Sequence, residues 1–307
     1  TTAPAATRRT NMPSEPLENI IAMLRTQAAD RGDVEMTLEQ WRQAYDGLGG
    51  LLPVAEGVEV TPVDAGGVPA EWIGTRDGPV VVYVHGGGYC IGSLGSHRPM
   101  LTHLAAATGG RVLAVDYRLA PEHPHPAALD DACTAYRWAL DQGVDPGRTV
   151  IAGDSAGGGL TLATLVALRD GGDPLPAAGV CLSPWADLTQ SGATMAEKAD
   201  VDPMVHAGDL DRWAAAYAGD ADPASPPISP LFADLSGLPP LQIEVGTAEV
   251  LLDDARRVAT RAREAGVDVT TYEGPDLIHV WHFFAGAVPE ADEGIQRVAR
   301  FVRDHTA

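Results

Sequence analysis

The sequence TVIAGDSAGGG, residues 149–159, decides how this chain is interpreted. Its first four residues are apolar or β-branched, which is typical of a buried strand. The pattern G-x-S-x-G follows at once, and the apolar run at 160–169 predicts a helix after it. A strand, a serine flanked by glycines and a helix place that serine on a sharp bend, with its hydroxyl exposed beside a helix N-terminus. Ser155 is therefore the predicted nucleophile.

A second glycine run supplies the groups that acyl transfer needs for its oxyanion. The sequence HGGG at 85–88 directly follows the apolar run VVVYV at 80–84. Three successive glycines let the backbone turn its N–H groups toward a substrate carbonyl. We expect the amides of Gly87, Gly88 and Ala156 to form this oxyanion hole. A phosphate-binding glycine loop is the alternative, but the lysine and helix spacing of a P-loop are missing.

Two histidines are candidates for the general base that must activate Ser155. His279 and His282 both follow the last predicted strand, where a loop can return to the active end of the sheet. No HExxH or Cys/His pattern points to a metal site, and no cofactor is expected.

The orienting acid is expected in the loop that leaves the predicted strand at 241–245. Glu249 lies in that loop, three residues after Gly246. Asp253 falls in the first turn of the next predicted helix, where acids are common partners of the helix dipole. Glu249 is the predicted acid and Asp253 the alternative.

The order of these residues along the chain excludes one class of enzyme. Residues 153–158 superficially resemble the GDSGG of chymotrypsin-like proteases, in which histidine and aspartate precede the serine on an all-β scaffold. Here both partners follow the serine, and strands alternate with helices.

Hydrophobic periodicity predicts a mostly parallel sheet with helices on both faces and the site at the carboxyl ends of the strands. The predicted strands are 58–63, 69–73, 80–84, 112–115, 149–152, 179–182, 241–245 and 267–272. The predicted helices begin at Ser14 and Thr37 and then cover 126–142, 160–169, 209–218, 252–265 and 289–304. The polar, proline-rich segment 187–226 interrupts the alternation, which predicts an insertion over the site.

Composition narrows the classes of partner. The chain has 307 residues and a net charge of −21, which disfavours nucleic acid and anionic membrane surfaces as partners. Its three cysteines are scattered, so no disulfide framework is indicated. Without an apolar run of membrane-spanning length, a cytoplasmic location is expected.

Six motifs together resemble the hormone-sensitive lipase family of bacterial carboxylesterases, which are α/β hydrolases. They are HGGGY at 85–89, YRLAPE at 117–122, PAALDD at 126–131, GDSAGG at 153–158, SPW at 183–185 and LPP at 238–240. The resemblance implies an eight-stranded sheet in a core of residues 51–186 and 227–307. It also implies a small helical cap made of residues 1–50 and 187–226.

The same resemblance implies roles for individual residues. It favours His279 over His282 as the base, and it places Glu249 where most members carry aspartate. Members often dimerise through the edge of the last strand, which corresponds to residues 267–272 here.

These observations predict a serine ester hydrolase that acts on small soluble acyl esters through an acyl-enzyme. Tyr89 and Trp185 are expected near the substrate. A lactonase or amidase with the same triad is the alternative. A non-catalytic small-molecule receptor is a third hypothesis, although such receptors tend to lose the triad histidine, and both candidates are present here.

Overall fold

A computed structural model describes residues 13–32, 36–75 and 77–307. Residues 1–12, which belong to the predicted cap, lie outside the described part of the chain. Eight strands form one sheet. They are β1 (Val60–Asp64), β2 (Pro69–Gly74), β3 (Val80–Val84), β4 (Arg111–Val115), β5 (Thr149–Asp154), β6 (Ala178–Leu182), β7 (Leu241–Gly246) and β8 (Val269–Gly274).

The strands are arranged in the order β1-β2-β4-β3-β5-β6-β7-β8. β1 and β2 form an antiparallel hairpin and β2 runs antiparallel to β4, whereas all the remaining pairs are parallel. The predicted mostly parallel sheet is confirmed. Because parallel strands end at the same edge, the segments after β3, β5, β6, β7 and β8 are brought together there.

Helices flank this sheet, as expected. The α-helices of the described residues are α1 (Glu15–Arg31), α2 (Leu38–Gly50), α3 (Leu94–Thr108), α4 (Ala127–Asp141), α5 (Ala156–Gly171), α6 (Thr194–Glu197), α7 (Ala207–Ala218), α8 (Leu252–Glu264) and α9 (Pro289–Thr306). Both faces of the sheet are buried, which explains the continuous apolar run of β3. Val82 and Val84 pack into one core cluster, while Val81 and Tyr83 point into the other.

The sequence analysis did not predict helix α3. Pro99 lies inside it and several of its buried side chains are polar, so the apolar periodicity of a helix is absent. A reciprocal cap starts the helix, because the Ser96 amide donates to Ser93 Oγ and the Ser93 amide donates to Ser96 Oγ.

Two other boundaries differ from prediction for local reasons. α5 begins at Ala156, four residues before the predicted start, because its first turn consists of glycines that pack closely on the sheet. β8 begins at Val269 rather than at residue 267. The amide of Val267 is used by the end of α8, where it donates to the carbonyl oxygen of Ala262.

No helix in the described ranges is long and apolar enough to cross a membrane.

Candidate active site

Ser155 occupies the bend between β5 and α5. Its backbone is in the left-handed region, with φ 53° and ψ −121°, and its amide donates to the carbonyl oxygen of Leu182 at 2.8 Å. Gly157 has no room for a side chain, because a Cβ there would collide with the carbonyl oxygens of Val84 and His85. The G-x-S-x-G pattern therefore follows from close backbone packing, and the bend presents Ser155 at the carboxyl end of the sheet.

In the glycine loop after β3, the amides of Gly87 and Gly88 are available to bind an oxyanion. Gly87 and Gly88 both have positive φ, at 115° and 58°. The amide of Gly86 is already used, since it donates to Asp154 Oδ1 at 3.0 Å. In the described part of the chain, no acceptor takes the amides of Gly87, Gly88 or Ala156. These are the three donors that the sequence predicted for an oxyanion.

His85 holds this loop in place. Its Nδ1 is 2.8 Å from the carbonyl oxygen of Gly86, and its ring stacks on Tyr117 with centroids 4.3 Å apart. The Tyr117 hydroxyl donates to the carbonyl oxygen of His85 at 2.7 Å. Burial lowers the pKa of His85 to about 3, so this imidazole stays neutral at pH values near 7.

His279 and Glu249 form a buried pair at the same edge of the sheet. His279 Nδ1 lies 2.7 Å from Glu249 Oε2, and Glu249 Oε1 accepts the amide of Gly246 and the hydroxyl of Ser183. With Nδ1–H donating to the carboxylate, Nε2 is left as the basic nitrogen. Burial by itself would lower the pKa of His279, but the surrounding carboxylates, Glu249 foremost, together outweigh it, and the pKa is raised above its ordinary value.

Ser183 ties this pair to the Ser155 bend, and the sequence analysis gave it no role. Its hydroxyl donates to Glu249 and accepts the amide of Val280 at 3.1 Å, while the preceding residue, Leu182, takes the amide of Ser155. Ser183 also has a positive φ of 46°. Its only signal in the sequence was its place in the SPW motif at 183–185.

The alternative base and acid are engaged elsewhere. His282 Nε2 is 3.0 Å from Glu244 Oε2 in a fully buried pair that Arg297 also joins. Asp253 Oδ2 accepts the amide of Thr194 at the start of α6. Neither residue takes part in the His279 pair.

Tyr89 and Trp185 lie together beside the first turn of α5. Both side chains are almost completely buried, with ring centroids 6.0 Å apart, and Tyr89 stacks on Tyr217 at 3.7 Å. A Cβ on Gly159 would collide with the Trp185 carbonyl oxygen. A role for Tyr89 and Trp185 in substrate binding stays a prediction.

Two tryptophans from distant segments pack together beside the glycine loop. Trp213 of α7 lies so close to Gly88 that a Cβ could not be added there. Trp41 of α2 packs edge-on against Trp213, with centroids 5.8 Å apart. Large aromatic side chains thus restrict the space next to the expected oxyanion donors.

No group of three or more histidine, cysteine, aspartate or glutamate residues in the described ranges is arranged to hold a metal ion.

Comparison with known proteins places this geometry in a family. A family model described as alpha/beta hydrolase fold matches residues 81–283. An acetyl-hydrolase of Streptomyces hygroscopicus is 45% identical over 278 residues, which cover 90% of this chain and 91% of the relative. Carboxylesterase NlhH of Mycobacterium tuberculosis is 36% identical over 273 residues, covering 86% and 81%. The crystal structure of an esterase from the bacterial hormone-sensitive lipase family superposes with a TM-score of 0.92 at 47% identity, covering 96% of this chain and 100% of that one.

Proposed function

This chain belongs to the bacterial hormone-sensitive lipase family of α/β hydrolases and is a carboxylesterase, and we propose that Ser155, His279 and Glu249 are its catalytic triad. The observation that carries this proposal is the buried contact of His279 Nδ1 with Glu249 Oε2, held through Ser183 at the strand end where Ser155 projects. The available amides of Gly87, Gly88 and Ala156 support the proposal, because acyl transfer needs donors for its oxyanion.

The proposed reaction follows from these roles. His279 Nε2 takes the proton from Ser155 Oγ as the oxygen attacks the acyl carbonyl, and Glu249 stabilises the imidazolium that forms. The amides of Gly87, Gly88 and Ala156 bind the tetrahedral oxyanion, each contributing about 3 kcal/mol to transition-state stabilisation. His279 then gives its proton to the leaving alcohol. Water attacks the resulting acyl-enzyme with His279 again as base, which releases the acid and restores Ser155.

The proposed substrates are esters with small, soluble acyl groups. Trp213, against which Trp41 packs, limits the space beside Gly88, which favours short acyl chains. The similarity to a protein named an acetyl-hydrolase points in the same direction. We also propose that the described residues within 1–50 form a cap on the core together with the segment 187–226, since Trp41 and Trp213 come from these two segments and pack against each other beside Gly88.

Two further features of the protein stay proposals. Among the strands of the described residues, β8 is terminal in the sheet and pairs only with β7, which leaves an edge on which a second copy could add a strand. A homodimer formed through this edge is therefore proposed. A cytoplasmic location is also proposed, because the three cysteines are free thiols and disulfides are rare in the reducing cytoplasm.

A fluorophosphonate probe tests the assignment of the nucleophile. The Ser155 oxygen is expected to displace fluoride and form a stable phosphonate ester, which peptide mass mapping places on Ser155. The Ser155→Ala variant is expected to show no labelling. Labelling that persists in this variant would remove Ser155 from its proposed role.

The pH dependence of kcat/KM tests the base. His279 must be neutral to accept a proton, and Glu249 holds its pKa above the ordinary value of 6.5. With p-nitrophenyl butyrate as substrate, kcat/KM is therefore expected to fall as the pH decreases, with a midpoint above 6.5. A midpoint well below 6 would contradict the pairing of His279 with Glu249.

A further inference from the structure

One buried carboxylate near the site has no role in the reaction described above. Asp202 lies between α6 and α7, and only 3% of its surface is exposed. Its Oδ1 accepts the amides of Met204 and Val205 at 2.9 and 3.0 Å, which closes a turn within the segment 187–226. Its Oδ2 accepts the amide of Val250 at 2.9 Å. Since Val250 directly follows Glu249, one side chain joins this segment to the loop that carries the proposed acid.

Among the residues that the structure describes, the Asp202 carboxylate is buried without a cationic partner. Its three hydrogen bonds come from backbone amides, and in the described part of the chain no arginine or lysine forms an ion pair with it. The titratable groups that act on it include His279 and Glu249. Burial raises the pKa of Asp202, and the nearby imidazole opposes that shift.

Several carboxylates from different parts of the fold act on His279. Glu249 comes from the loop after β7, Asp202 from the segment before α7, and Asp154 from the end of β5. Only Glu249 is hydrogen-bonded to the imidazole. Asp154 is fixed by the hydroxyl of Tyr83 and the amide of Gly86, and its other oxygen lies 3.4 Å from His97 Nε2. Asp202 is the carboxylate that also holds the acid loop.

We propose that Asp202 is a positioning residue of the triad: it fixes the backbone next to Glu249, and its negative charge stabilises the imidazolium of His279 during acyl transfer. This inference rests on the proposed function. The segment 187–226 also contributes to the reaction, because its Asp202 side chain holds Glu249 in position to bind His279.

The Asp202→Asn variant tests the proposal with a side chain of nearly the same size. The amide oxygen can still accept from Met204 and Val205, whereas the NH₂ group cannot accept from Val250 and the charge is gone. For p-nitrophenyl butyrate, kcat is expected to fall by about 10- to 100-fold because the acid loop loses its anchor. KM is expected to change little. The acid limb of kcat/KM should move to lower pH by about half a unit or more, because His279 loses a neighbouring negative charge.

Asp187→Asn is the matched control. Asp187 is a second buried aspartate of the same segment, but its bonds go to Thr189, Ser191 and Arg257. This variant is expected to lower the melting temperature and to leave the midpoint of the acid limb where it is in the parent. A parental midpoint in Asp202→Asn, or the same shift in both variants, would overturn the proposal.

A second variant keeps the test decisive if Asp202→Asn does not fold. Asp202→Glu retains the charge but is one methylene longer, so the amide of Val250 is displaced. We expect a lowered kcat with the parental acid-limb midpoint, and a parental kcat would overturn the positioning role. Failure of the proposed function itself looks different, because the fluorophosphonate probe would then not label Ser155 in the parent.

Discussion

Replacing His279 with alanine is expected to lower kcat for p-nitrophenyl butyrate by about 10⁵- to 10⁶-fold, the loss seen when the base of a serine triad is removed. Without the imidazole, the Ser155 hydroxyl has no acceptor for its proton, and the leaving alcohol has no donor. The oxyanion donors remain in place, so a residual rate above that of water should persist. Steady-state kinetics, run at a pH on the plateau above the acid limb of the parent enzyme, measures this loss.

His282→Ala is the control for this variant, because it removes the rival histidine three positions later. The imidazole of His282 is bonded to Glu244 in the interior. Its loss is expected to lower the free energy of unfolding by about 3 kcal/mol, since a buried carboxylate loses a partner and a cavity remains. Turnover at temperatures below the melting transition should stay within a few-fold of the parent. A His279→Ala enzyme as active as His282→Ala would end the assignment of the base.

Replacing Glu249 with glutamine is expected to lower kcat by about 10⁴-fold, even though the side chain keeps its size. The amide of Gly246 and the hydroxyl of Ser183 both donate to Oε1, the carboxylate oxygen that does not face His279. They can donate in the same way to the oxygen of the new amide. The NH₂ group then faces His279 Nδ1, which has to act as an acceptor. The imidazole proton is forced onto Nε2, so the nitrogen that should receive the Ser155 proton already carries one. Kinetics together with the NMR signals of the imidazole protons checks both the rate and the tautomer.

Asp253→Asn is the matched control for the acid. Asp253 was the alternative acid in the sequence, but its carboxylate accepts the amide of Thr194. Its amide variant is expected to retain a kcat within a few-fold of the parent. If Asp253→Asn lost as much activity as Glu249→Gln, the acid would have to be reassigned.

The fold could be predicted because its strands and its glycine-rich bends follow from local sequence. The β-branched run before Gly153 defines a buried strand, and the glycines around Ser155 and at 86–88 are required by backbone contacts. The order serine, acid, histidine then pointed to the proposed partners within loops that follow predicted strands, and the family resemblance favoured His279 over His282. Even the choice of Glu249 over Asp253 depended on a local argument, the position of Asp253 in the first turn of a helix.

The features that were missed depend on contacts between distant parts of the chain. Helix α3 is stabilised by packing against the sheet and against α9. In the sequence, Pro99 and the buried polar residues of this helix hide the apolar periodicity by which a helix is predicted. Ser183 matters because its hydroxyl meets Glu249, which is 66 positions away. Asp202 matters because it meets Val250, 48 positions away, and its own surroundings in the sequence are those of an ordinary polar loop.

The left-handed backbone at residue 155 restricts which amino acids could ever serve as the nucleophile. A side chain branched at Cβ is disfavoured at φ 53°, so threonine, which is the nucleophile in other hydrolases, would strain this bend. Cysteine has serine's unbranched shape and does fit. Evolution or design starting from this scaffold can therefore exchange oxygen for sulfur more easily than it can exchange the primary alcohol for a secondary one.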